Sequence, residues 1–128
     1  MKRYTFPKEE RLCSKRLIDD LFRSGSSFFI YPYRVTYQRI EGIDTPVQVL
    51  LSASRRRFRR AVTRNLLKRR MREAYRLQKA DLLLPSVAGR GFGLIISIQY
   101  VGRDVLGFDV IHNGMRSVLE RLREEIVR

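Results

Sequence analysis

One stretch limits what this chain can become. Residues 55–79, RRRFRRAVTRNLLKRRMREAYRLQK, carry 12 Lys or Arg and one acid, Glu73, which is +11 of a formal net charge of +14. The remainder of the 128-residue chain holds 15 basic and 12 acidic side chains and is close to balanced. Like charges one turn apart on a helix repel by about a few tenths of a kcal/mol per pair. A polyanion removes that repulsion and gives up counterions when it binds. The segment is not part of a disordered tail, because 44% of the residues are apolar, enough for the core of one domain.

Placed on a helix at about 100° per residue, the segment divides in two. Val62, Leu66, Leu67, Met71, Ala74 and Leu77 share an apolar sector and are predicted to be buried. Asn65, Lys68, Arg69, Arg72, Arg76 and Lys79 fall opposite and are predicted to form an exposed stripe. Arg70 lands in the apolar sector and is expected to snorkel outward. Glu73, at the margin, is expected to pair with Arg69 or Arg76. Arg outnumbers Lys ten to two, and a guanidinium fork matches phosphate oxygens and stacks on bases as an ammonium does not. Asn65 suits a 2′-hydroxyl or a base edge. These features favour RNA over a membrane surface, since the apolar sector is needed for the core and is not available to lipid.

No apolar run approaches the roughly 18–20 residues of a membrane span, and the first residues, MKRYTFPKEERLCSKR, lack the apolar centre of a secretory signal. The single cysteine, Cys13, cannot form an internal disulfide, which fits a reducing, cytoplasmic setting. It is expected to be a half-buried filler.

The remaining elements follow from pattern. Residues 1–10 are predicted to be an extended arm, held out of helix by Pro7. A first helix is predicted over 10–23 from Leu12, Leu17, Ile18, Leu21 and Phe22, with Gly25 suited to the position after it. Residues 27–37 are aromatic and β-branched and predict a strand with Pro32 at its start or edge. A turn over 41–46 and a second strand over 47–51 would complete a hairpin. A loop follows over 81–93, then a strand over 92–98 apolar enough to be covered on both faces. A last helix carries Ile111, Met115, Val118, Leu119, Leu122 and Ile126, although Gly114 inside it costs about 1 kcal/mol. The order α-β-β-α-β-α predicts an α+β fold with helices flanking a small sheet, in one RNA-binding domain spanning residues 1–128.

The central segment also resembles a known family. Arg60-Ala61-Val62-Thr63-Arg64-Asn65-Leu66-Leu67-Lys68-Arg69-Arg70-Met71-Arg72-Glu73 is similar to the signature of the protein subunit of bacterial ribonuclease P: a basic residue, Ala-Val, Arg-Asn, then Lys-Arg and a further Arg. The lead-in Ser54-Arg55-Arg56-Arg57-Phe58, the early Phe6-Pro7-Lys8-Glu9-Glu10-Arg11-Leu12 and the helix end Leu21-Phe22-Arg23-Ser24-Gly25 agree as well. Leu66 departs from the pattern, because the family usually has another Arg there. The resemblance implies a left-handed strand–helix–strand crossover, against the right-handed rule.

It further implies RNA contacts at Arg55, Arg56, Arg57, Arg59, Arg60, Arg64, Asn65, Lys68, Arg69, Arg72 and Arg76. A cleft between the first helix and the sheet would hold the 5′ leader of precursor tRNA, with Lys15 (or Arg16), Phe22, Tyr33 and Tyr37 at the matching positions. Phe22 reads equally well as a core residue, and the alternation leaves open whether Tyr33, Val35 and Tyr37 or Arg34 and Thr36 face that cleft. The implied partners are the catalytic RNA, one per protein, and precursor tRNA, with Mg2+ held mainly by the RNA and substrate. No catalytic or metal-binding residue is assigned to the chain itself. His112 has no nucleophile or acid beside it in sequence, and the pairs Asp19-Asp20 and Glu124-Glu125 point to different helix faces.

Overall fold

The structure, a computed structural model, describes residues 6–41 and 45–127. The start of the expected arm and the centre of the expected 41–46 turn lie outside the described residues. A short 3-10 turn at Lys8–Glu10 precedes helix α1, Lys15–Ser24. Strands β1 (Ser26–Ile30), β2 (Tyr33–Ile40) and β3 (Val47–Ala53) lead into the long helix α2, Ala61–Leu82. A one-turn helix α3 (Leu84–Val87), strand β4 (Gly93–Tyr100) and helix α4 (Phe108–Val127) complete the chain. The expected α+β class is present. Among the described residues no helix is long and apolar enough to cross a membrane.

The sheet order is β1-β2-β4-β3, with β1/β2 and β2/β4 antiparallel and β3/β4 parallel. Two expectations are corrected here. The stretch 27–37 is two strands: Tyr31 and Pro32 form the turn between them, and Phe29 pairs with Arg34. Pro32 has no N–H to give a ladder, so the strand breaks at that point. The expected hairpin between this region and residues 47–51 does not form, because β4 lies between β2 and β3. Its residues Leu94, Ile95, Ile96 and Ile98 are fully buried, and a strand apolar on both faces gains most from a central place. The parallel β3/β4 pair in turn requires a crossover, which α2 supplies.

One face of the sheet is the main core. Tyr33, Val35, Leu94, Ile96, Ile98 and Tyr100 pack against Leu67, Met71 and Tyr75 of α2 and against the apolar stripe of α4. Each such buried side chain is worth about 1.5–3 kcal/mol. Gly114 has a packing reason. A Cβ there would lie 3.1 Å from the Pro32 ring and 3.2 Å from Tyr33, so any larger residue would push α4 and the β1–β2 turn a few tenths of an ångström apart.

On the other face, Leu12, Leu17 and Leu21 cover Ile95, with Ile18, Ile40 and Leu50 around them. Ten residues of helix span only about 15 Å, whereas the eight of β4 span about 26 Å. Helix α1 therefore covers one end of this face and leaves the Phe29–Arg34–Gln99 end bare. It begins at residue 15, later than predicted. The Leu12 N–H donates to Val49 O at 2.9 Å and Arg11 bridges to Val49, so the β3 edge holds residues 11–12 extended. The Ser14 side chain then caps the helix by accepting from the Leu17 N–H. Gly25 is the C-cap, already extended, and a Cβ there would sit 2.5 Å from Leu21 O, so the chain leaves the helix at a position only glycine fits.

Candidate nucleic-acid interface

Phe58 anchors the basic segment. It is buried, with its ring 5.8 Å from that of Tyr100. The arginines on either side of it, Arg55, Arg56, Arg57, Arg59 and Arg60, are all exposed. Arg64 organises this loop, donating to Phe58 O at 2.8 Å and to Arg59 O at 2.7 Å. No acid stands in the first turn of α2, so its positive dipole end adds to the field of the loop.

Along α2, Asn65, Arg69 and Arg72 are exposed and Lys68 is half-buried, as a stripe requires. Arg76 is half-buried and paired with Glu73 at 2.7 Å, and this hydrogen bond holds the Glu73 carboxyl below its ordinary value. Arg70 leaves the apolar sector by donating to Leu106 O at 2.7 Å.

Three expectations for this helix are corrected. Val62 is 77% exposed, Leu77 is also exposed, and Lys79 is buried. The buried positions are Leu67, Met71, Ala74, Tyr75, Gln78 and Lys79, so the core sector is rolled toward residues 75–79. The roll follows α4, whose backbone takes a hydrogen bond from Gln78 at His112 O, 3.0 Å. Lys79 pairs with Glu10 of the arm.

The proposed cleft residues separate. Tyr33 is corrected: it is fully buried on the helix-covered face and donates to Ile111 O at 2.9 Å, and burial pushes its phenol well above the ordinary value. Tyr37 is corrected for the same reason. It points to α4 and donates to Glu125 at 3.1 Å, with burial the main cause of its raised pKa and Glu125 the next. Alternation then places Arg34 and Thr36 on the face that carries α1. Phe22 is 59% exposed on α1 and Lys15 is exposed at its start, so Phe22 is not a core residue. Cys13 lies before α1 and is exposed, contrary to expectation.

The open end of the sheet holds residues that pattern reasoning missed. Phe29 and Tyr31 are 58% and 55% exposed. They border a hollow of about 510 Å³ with Arg34, Arg56, Arg57, Gln99 and Arg103. Arg56 and Gln99 also line a second hollow, about 700 Å³, which reaches Arg64 and Lys68. Lys68 continues into a third with Asn65, Arg69 and Arg72. The expected helix stripe and the expected sheet surface are thus one belt, predominantly basic and aromatic at one end, where one acid, Asp104, also lines the hollow. The missed signal was the Tyr31-Pro32 turn, which puts Phe29 directly across from Arg34.

A chain with this sheet order and a belt of this kind is a basic α+β domain, and its fold is shared with solved structures of RNase P proteins. It is similar to that of Thermotoga maritima, with a TM-score of 0.68 and 22% identity over 88% of this chain and 96% of the other. It is similar also to the Staphylococcus aureus protein, with a TM-score of 0.64 and 18% identity over 88% and 94%. In sequence, the Ribonuclease P family model matches residues 6–123. The curated "Ribonuclease P protein component" of Porphyromonas gingivalis is 36% identical over 116 residues, covering 90% of this chain and 84% of the relative. The same-named protein of Chlorobium phaeobacteroides is 32% identical over 126 residues, covering 91% and 86%. The chain belongs to the ribonuclease P protein family.

Proposed function

We propose that this chain is the protein subunit of ribonuclease P in the cytoplasm. It binds one catalytic RNA, and the assembled particle removes the 5′ leader from precursor tRNA. The observation that carries the reading is the continuity of the belt, from Arg69 and Arg72 on α2 through Lys68, Arg56 and Gln99 to Phe29 on the sheet. Arginines on the loop and helix suit a folded RNA, whose phosphates they neutralise with release of counterions. The sheet end suits an unpaired strand. Phe29 and Tyr31 offer ring faces that any base can stack on, worth about 1–3 kcal/mol per base, and Arg34 and Arg103 stand beside them for phosphates. Because stacking does not read base identity, many leader sequences can be held.

The phosphodiester hydrolysis itself is assigned to the RNA, with Mg2+ held by the RNA and substrate. Among the described residues no group of three or more His, Cys, Asp or Glu side chains converges as a metal cage. Reconstitution tests the reading: purified protein, a bacterial ribonuclease P RNA and a precursor tRNA at low Mg2+. The protein is expected to lower the Mg2+ requirement and release the 5′ leader where neither component alone does. Tight RNA binding without any change in cleavage would instead mark a general structured-RNA binder.

A further inference from the structure

The arm before α1 is fastened to α2 by a buried clamp. Lys79, with its side chain 2% exposed, pairs with Glu10, 17% exposed. The Phe6 ring sits edge-on to Tyr75 at 5.3 Å, and the Lys79 ammonium lies 5.5 Å from one ring and 5.7 Å from the other. A lysine this deep is stable as a cation only with such partners. With the Arg11 backbone held at the β3 edge, the clamp fixes Phe6, whose carbonyl accepts from the Arg11 guanidinium at 3.4 Å. Arg11 is exposed, its guanidinium 5.4 Å from the Phe6 ring.

A hollow of about 180 Å³ lies where the arm meets the helix, and three cations line it: Arg11 from the arm, Lys68 and Arg72 from α2. Among the described residues no carboxylate forms a salt bridge with any of the three. Three positive groups brought together by the fold repel one another, and an anion seated among them removes that repulsion. Cys13, the chain's single cysteine, is exposed on the wall of the same hollow.

We propose that this hollow is a binding site for a backbone phosphate of the RNA, with Arg11 as a contact residue and Glu10 and Lys79 as the positioning residues that present it. The site rests on the RNA-binding reading above and adds the arm to the interface. Clamp and site are one device: the β3 edge holds the Arg11 backbone, and without the clamp Phe6 no longer steadies the Arg11 guanidinium opposite Lys68 and Arg72.

Cys13 makes the site directly observable. Alkylation of its thiol by iodoacetamide is followed with and without a bacterial ribonuclease P RNA, alongside the salt dependence of RNA binding. RNA is expected to protect Cys13 in the wild type. Arg11→Ala should lower the salt slope of log K by about one and weaken the protection, and Arg11→Lys should restore the slope. The neutral pair Glu10→Gln/Lys79→Met should reproduce the slope loss of Arg11→Ala with Arg11 still present, and should speed Cys13 alkylation in the free protein.

A slope that falls in Lys68→Ala but not in Arg11→Ala, with Cys13 reactive in the complex, overturns the site and leaves the RNA-binding reading intact. Wild-type protein that ignores the RNA overturns both. Protection of Cys13 by millimolar inorganic phosphate as strong as that by RNA would make this a free-anion pocket and overturn its assignment to the RNA backbone.

Discussion

The two faces of the sheet carry similar side chains and use them in opposite ways. On the helix-covered face Tyr33 is fully enclosed and its hydroxyl is bonded to Ile111 O. On the other face, one residue along the same strand, Arg34 lies across from Phe29 of β1 with both side chains in solvent. An aromatic residue here is core or contact according to whether its position is odd or even in β2 and its partner. The difference comes from coverage: α2 and α4 together span one face, and the short α1 spans only part of the other.

This contrast can be broken from the core side first. Tyr33→Ala should cost about 3–5 kcal/mol of stability, read as a lower urea midpoint, while any folded fraction keeps its affinity for leader. Phe29→Ala should do the reverse. Its urea midpoint should stay within about 0.5 kcal/mol of wild type, and affinity for precursor tRNA with a leader should fall by about 1–3 kcal/mol. Affinity for the same tRNA without a leader should not change. Equal losses for both substrates would remove Phe29 from the leader surface.

Alkaline titration sharpens the covered side. Burial raises the pKa of Tyr33 and Tyr75 above the ordinary 10.0. Below that value both are protonated whether folded or unfolded, and stability does not depend on them. As pH rises past it, the unfolded chain ionises first and binds fewer protons than the native one, so stability falls, by about 1.4 kcal/mol per pH unit for each tyrosine. Unfolding midpoints measured from pH 9 upward check this, and Tyr75→Phe should flatten the decline. The smallest effect is expected from Tyr37→Phe, which loses only the hydroxyl's part-exposed bonds to Glu125 and Ser26. It should cost about 0.5–1.5 kcal/mol of stability and nothing in leader affinity.

What the sequence revealed, and what it hid, follows from how far each property reaches along the chain. The charge on residues 55–79 needs no geometry to be read, and most of its exposed arginines are where the pattern put them. The both-faces apolarity of β4 was equally plain, but not which strands flank it, since that depends on α2 carrying the chain across. The sheet aromatics escape pattern reading because one local event, the turn at Tyr31-Pro32, decides which residues face each other. Periodicity puts Lys79 on the stripe because its partner, Glu10, lies 69 residues earlier, beyond the reach of any helical repeat.

The position of β4 has a consequence for how the protein comes into being. The strand that joins the sheet is the last one made, so a chain emerging from the ribosome carries β2 and β3 before anything exists to lie between them. Until Tyr100 has emerged, each has a raw edge where β4 will dock, and the basic helix that follows β3 has no finished sheet to rest on. Such edges pair readily with other chains, and closing them requires contacts distant in sequence, which slows folding. Newborn copies of this protein pass through an interval of exposed edges that ends only when one strand, flanked by a crossover and a final helix, slides into the gap.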